Sequence, residues 1–388
     1  MSSSFDHDIN RAGTSSVKYD GRKSMFGTSE VIPMWIADMD FAAPLAVTRA
    51  LAERAAHPVY GYTQYPDSLY GSLIDWLRRR HGWEIKREWI MMCPGVVPSL
   101  HAAIMAFTEL DESVIVQPPV YFPFFSAVKN TGRTLLQNPL RIENGHYVID
   151  FDHLEQCAAQ ARILLLCSPH NPVGRVWHKP ELQRLLQIAE KYDLLILSDE
   201  IHADLVYPGN KHTTLATLAE NPAYVLTAIA PSKTFNIPGL NLSTLIVSDP
   251  KHRAAITQVL DRMHISASNP FSVVAFEAAY RESETWLDEL LLYLRDTRDY
   301  VENYLAEHLP KIRLIKPEGT YLLWLDCRAL DMNDAQLRHF FVQKAGVGMS
   351  PGTLFGEGGS GFMRMNIGAP RHTIVAALEN IRNAKREV

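Results

Sequence analysis

The sequence predicts an α/β fold, with a large domain on a mainly parallel sheet and a smaller α+β domain beside it. Three observations lead there. Short apolar runs recur through the middle of the chain. A helix-patterned stretch separates two of them. From about Glu282 the texture changes to a long amphipathic segment followed by mixed short elements.

The apolar runs are SVIVQ (113–117), RILLLC (162–167), DLLILS (193–198), AYVLTAI (223–229) and LSTLIVS (242–248). They are short, and several are rich in Val and Ile, as strands covered on both faces should be. KPELQRLLQIAEKY (179–192) sets Leu182, Leu185, Leu186 and Ala189 at helical spacing, and Pro180 suits a first helical turn. Strand, helix and strand in succession imply a parallel pair, and this sheet domain is placed at residues 46–283. Beyond it, ETWLDELLLYLRDTRDYVENYLAEHLP reads as one helix ending at Pro310. IRLI, TYLLWLD and GFMRMNIG then read as strands, and NDAQLRHFFVQKA and RHTIVAALENIRNAK as helices, of a smaller lobe over residues 284–388. Residues 1–45 fit neither texture and are expected to pack with that lobe.

Composition bounds the function. The 388 residues suit two domains of roughly 100–200 residues each. At 47% hydrophobic and 21% charged the chain can build a large core, and disorder is excluded as its main character. A net charge of −5 gives no basic excess to hold nucleic acid or an anionic membrane. No apolar run approaches the ~18 residues that would span a bilayer. The start, MSSSFDHDIN, lacks the basic-then-apolar order of a signal peptide. Cys93, Cys157, Cys167 and Cys327 form no C-x-x-C pair, so a reduced, cytoplasmic setting is expected. The histidines show no zinc spacing, and no metal is expected.

Four segments could carry chemistry. Lys233, in IAPSKTFNIPGL, follows an apolar strand and has no acid close by in sequence. At a strand end facing a ligand crevice, a desolvated lysine can act as a Schiff-base amine; by itself the segment fits a solvated loop better. Asp199, in SDEIHADLVY, closes another strand, where a buried carboxylate needs a cation such as a protonated heterocyclic nitrogen; it could also cap the turn that follows. Asn171, in CSPHNPVGRVW, is an amide held out at a third strand end, in what could also be an ordinary connecting loop. Gly95, before the apolar helix of CPGVVPSLHAAIMAF, leaves open N–H groups of the kind that bind phosphate. In the small lobe, GEGGSG matches a dinucleotide pattern in form only, because a strand and not a helix follows it. Within that strand, Arg364 could clamp a carboxylate or simply face solvent.

Taken together, Tyr121, Asn171-Pro172, Asp199-Glu200, Ser232-Lys233 and Arg364 resemble the fold-type I pyridoxal-phosphate enzymes of the class I/II aminotransferase family, over nearly the whole chain. PMWIADMDF (33–41), YGYT (60–63), SPHNPVGRVW, SDEIHADLV and PSKTFNIPGL are similar to its cystathionine β-lyase branch, named after MalY and PatB. The resemblance implies a seven-stranded, mainly parallel sheet and pyridoxal 5′-phosphate as cofactor. It implies that Lys233 holds the cofactor covalently, Asp199 pairs with the ring nitrogen, Asn171 contacts the ring oxygen and Tyr121 stacks on the ring. Gly95, Val96 and Ser232 would bind the phosphate, with Tyr62 arriving from the other subunit of a homodimer that shares its active sites. Arg364 would take the substrate carboxylate, and Trp35, Tyr62 and Tyr121 would wall the pocket. Two positions depart from the wider family and match the branch. His202 stands where a tyrosine is usual and Asn241 where a phosphate-binding arginine is usual, which leaves the phosphate site one cation short.

The implied activity is carbon–sulfur β-elimination from L-cystathionine or related cysteine S-conjugates, giving a thiol, pyruvate and ammonia. An aminotransferase would share every step up to loss of the Cα proton. A regulatory protein on the same scaffold is a third reading, disfavoured by the joint presence of Lys233, Asp199 and Arg364.

Overall fold

A computed structural model describes residues 4–265 and 269–386. Residues 1–3 of the expected N-terminal segment, 266–268 of the expected sheet domain and 387–388 of the expected second lobe lie outside the described residues. The strands are β1 (Ile32–Met34), β2 (Ile90–Cys93), β3 (Ser113–Val116), β4 (Thr134–Gln137), β5 (Arg141–Glu143), β6 (His146–Val148), β7 (Ala161–Cys167), β8 (Leu195–Asp199), β9 (Val225–Ile229), β10 (Ser243–Ile246), β11 (Arg313–Ile315), β12 (Leu322–Asp326), β13 (Val347–Pro351) and β14 (Phe362–Asn366).

Seven of them form one sheet in the order β2-β10-β9-β8-β7-β3-β4. The pairs among β4, β3, β7, β8 and β9 are parallel, and β10 runs antiparallel to both its neighbours. The uninterrupted apolar runs have a direct cause. Successive strand residues point to opposite faces, and both faces are covered. Ile163 and Leu165 pack with Leu100, Phe124 and Ile256 on one side. Leu164 and Leu166 pack with Leu154, Leu182 and Leu185 on the other. The helix expected at 179–192 spans Lys179–Tyr192 and buries Leu182, Leu185, Ile188 and Ala189. Strands β2 (IMMC) and β4 (TLLQ) were not legible, since neither belongs to a longer apolar run rich in Val and Ile.

A second sheet has the order β1-β13-β14-β12-β11, with β1 parallel to β13 and the other pairs antiparallel. Its strands come from both ends of the chain, because β1 lies in the first 45 residues. The helix Glu284–His308 buries Leu287, Leu290, Leu294 and Val301 along one stripe and packs on β11 and the final helix Arg371–Arg386. GEGGSG is a loop leading into β14, so the dinucleotide pattern has no structural counterpart.

Along the large sheet the strand order reverses beside β3, where β7 and β4 lie on opposite sides of it. Ligands of open α/β sheets bind at such a point, beyond the carboxyl ends of the strands. Those ends carry residues 117–121, 167–171, 199–202 and 230–233.

Candidate active site

A cavity of about 290 Å³ opens at these strand ends. Eight of the eleven expected site residues line it: Gly95, Val96, Tyr121, Asn171, Asp199, His202, Ser232 and Lys233. Each is delivered by a chain reversal after a strand. β8 ends at Asp199, and the turn 201–204 follows. β9 leads into the one-turn helix Pro231–Thr234, which carries Ser232 and Lys233. β2 leads through Gly95, at φ +155°, into the helix Val96–Phe107, whose first turn has no side-chain cap. That backbone conformation is almost confined to glycine.

The charged groups are set against their surroundings. Asp199 is buried, and among the described residues it meets no cation at ion-pair distance. Burial raises its carboxyl to about 7, although Ile201 donates its N–H to Oδ1 at 3.1 Å and Lys233 pulls the other way. Lys233 is half-buried, and desolvation lowers its amine to about 8, with Asp38 opposing that shift and Arg364 adding to it. The amine donates to the Ala37 carbonyl at 2.6 Å. His202 is buried, and burial, reinforced by Lys233 and Arg364, lowers it to about 3, so its ring is neutral. Among the described residues its Nδ1 has no hydrogen-bond partner. Burial and Asp199 raise the Tyr121 phenol.

Arg364, on β14, does not line that cavity but reaches its edge. Its Nη2 donates to the Trp35 carbonyl at 2.6 Å and to Ser350 Oγ at 3.4 Å. The guanidinium lies over the Phe355 ring at 4.9 Å. Burial lowers it to about 10, still charged at neutral pH, and among the described residues its Nε is unpartnered.

Two expected wall residues stand elsewhere. The Trp35 indole turns away, donating to the Lys18 carbonyl at 3.0 Å and packing on Phe26, so Trp35 serves the site through its backbone. Tyr62 is fully exposed and is not part of the cavity wall within one chain. Conversely, the sequence reading missed the Ala37 carbonyl, which also accepts from the Tyr321 hydroxyl at 2.9 Å, and the cavity-lining role of Asn241. No side-chain signal could reveal the first, because the acceptor belongs to the backbone. In the sequence, Asn241 stands out only as the absence of an arginine.

The cavity therefore offers a buried carboxylate awaiting a cation, a lowered amine awaiting an electrophile, uncapped helix N–H groups suited to an anion, and an arginine with a free N–H at the edge. A flat heterocycle with a protonated nitrogen, a carbonyl carbon and a phosphate matches this set.

A profile of the family described as aminotransferase class I and II matches residues 29–381. The chain is 43% identical to cystathionine beta-lyase PatB of Bacillus subtilis strain 168, over 98% of this chain and 99% of that protein. It is 31% identical to protein MalY of Escherichia coli strain K12, over 99% of each. Among solved structures it is similar to cystalysin from Treponema denticola, which contains a pyridoxal 5′-phosphate cofactor. There the TM-score is 0.94 at 37% identity, covering 99% of this chain and 98% of that one.

Proposed function

The chain belongs to the class I and II aminotransferase family, in the branch that holds PatB and MalY, and on that premise we propose that it is a carbon–sulfur β-lyase acting on L-cystathionine or related cysteine S-conjugates. Its cofactor is pyridoxal 5′-phosphate. When bound, that group supplies an electron sink for the pair left on Cα as a bond breaks.

The rest falls to the protein. Lys233 would hold the aldehyde carbon of the bound group, and its amine, once free, would take the Cα proton. An amine lowered to about 8 is well matched to that task near neutral pH. Asp199, as carboxylate, keeps a proton on the ring nitrogen, a cation that its buried site otherwise lacks. Asn171 and the neutral His202 would meet the ring oxygen and Tyr121 the ring face, a reading supported by all three lining the cavity. Gly95, Val96 and Ser232 receive the phosphate. Arg364 takes the α-carboxylate with its unpartnered Nε. A thiolate on Cβ then leaves, and the three-carbon remainder hydrolyses to pyruvate and ammonia. The observation that carries this reading is the placement of Lys233 and Asp199 in one cavity, with the amine lowered by burial and the carboxyl raised for want of a cation that a protonated ring nitrogen would supply.

Residues 46–283 form the cofactor domain, and residues 1–45 with 284–388 form the smaller domain; the pairing of β1 with β13 supports that division. The enzyme works as a homodimer in which Tyr62 reaches the phosphate of the other subunit. In support, residues 57–62 are exposed throughout and include Val59, Tyr60 and Tyr62, an apolar stretch that a second copy would cover. A cytoplasmic setting is supported by four buried, unpaired cysteines. Among the described residues no helix is long and apolar enough to cross a membrane.

The test is a product assay. Incubation with L-cystathionine and with S-substituted cysteines should release thiol and pyruvate without any keto-acid acceptor. Turnover that appears only when an acceptor is added would mean transamination instead.

A further inference from the structure

Lys233 sits in a helix of four residues, Pro231–Thr234. One turn is too short to hold its own shape, so tertiary contacts must set its orientation. Besides the bond from Lys233 to the Ala37 carbonyl, a fully buried polar contact is made by the next residue. Thr234, fully buried, donates from Oγ1 to Asp204 Oδ2 at 2.9 Å. Asp204 closes the turn 201–204, which follows Asp199 and carries His202. Asp204 itself is buried outside the cavity wall. Its other oxygen, Oδ1, accepts from Trp76 Nε1 at 3.1 Å and lies 2.8 Å from His81 Nε2, which carries the proton against a carboxylate. Although burial pushes this carboxyl up, the bonds from His81, Thr234 and Trp76 more than offset it and hold it below its usual range. Trp76 in turn packs on Phe235, 5.5 Å between ring centroids, one residue beyond Thr234.

One carboxylate thus ties the Asp199 segment to the Lys233 segment from behind. The two segments must meet opposite ends of a single rigid ring, the nitrogen at one end and the aldehyde carbon at the other. We propose that Asp204, through Thr234, is a positioning residue that fixes the spacing between Asp199 and Lys233. The proposal rests on the reading of Lys233 and Asp199 given above. That reading is tested separately by whether borohydride fixes the cofactor on Lys233 of the unaltered protein.

Thr234→Val keeps the side-chain shape and removes the bond, whereas Thr234→Ser keeps the hydroxyl. In the holoenzyme, Thr234→Val should raise the apparent Kd for pyridoxal phosphate about tenfold and lower kcat about tenfold, as small misplacements of reacting groups do. KM for S-benzyl-L-cysteine should change less than kcat, and the pH midpoint of the cofactor's visible absorbance should move. Thr234→Ser should restore cofactor affinity and midpoint to the unaltered values. The proposal is overturned if Thr234→Val lowers only the melting temperature and leaves affinity and midpoint unchanged. It is equally overturned if Thr234→Ser loses as much as Thr234→Val.

Discussion

Asn171 Oδ1 accepts a hydrogen bond from Arg364 Nη1 at 3.2 Å, joining the loop after β7 to the strand β14 of the other sheet. The bond fixes which way the Asn171 amide faces. Its oxygen is taken by the guanidinium, so its NH2 is left to donate, as the proposed contact with the ring oxygen requires. The residue assigned to the cofactor and the residue assigned to the substrate carboxylate are therefore one unit.

From this, Arg364→Lys should raise KM for cysteine S-conjugates roughly 10- to 100-fold, the loss of a charge-assisted bond and its fork geometry. The cofactor's absorbance should change little. Steady-state kinetics across substrate concentrations, with a spectrum of each protein, check this. An unchanged KM would remove Arg364 from carboxylate binding.

Lys233→Ala should abolish covalent fixation by borohydride and lower turnover by at least about 10²- to 10⁴-fold, the usual contribution of a general base. Peptide mapping after reduction locates the adduct. An adduct elsewhere would contradict the assignment.

Asp199 gives a pH-dependent stability prediction. Its carboxyl is raised from 3.8 to about 7 in the folded, cofactor-free protein. Between those values the folded state binds more protons than the unfolded state. Stability therefore falls as pH rises through about 4 to 7, and the penalty is fully present above 7. Asp199→Asn removes the penalty. The cofactor-free variant should melt higher than the unaltered protein at pH 8, and the gap should close near pH 4. The same variant should lose about 100-fold in activity, because an amide cannot hold the ring nitrogen charged. Calorimetry at the two pH values, with an assay, tests both halves.

Gly174 joins the loop after β7 to the 317–319 loop. It sits at φ +73°, and its carbonyl accepts from the N–H groups of Glu318 at 2.8 Å and Gly319 at 3.1 Å. A Cβ there would lie 2.3 Å from Pro317 Cβ. Gly174→Ala should cost about 2–4 kcal/mol, from backbone strain and a clash together. A denaturant melt showing less than about 0.5 kcal/mol would mean that the 317–319 loop yields freely.

How much the sequence determined depends on the range over which each feature is encoded. The runs at 162–167 and 193–198 declared two-sided burial through local composition, and both are central parallel strands. Lys233, Asp199 and Asn171 could be singled out because each directly follows such a run. Arg364 could be singled out because GFMRMNIG alternates. The tertiary structure alone decided that β10 turns antiparallel beside β9 and that β1 completes the small sheet. It also decided that the Trp35 indole faces away while the carbonyls of Trp35 and Ala37 receive Arg364 and Lys233. Periodicity and strand-end position are written in neighbouring residues, whereas a backbone carbonyl is the same at every residue. Which carbonyl meets which cation is set only when segments some 200 or 300 positions apart are packed together.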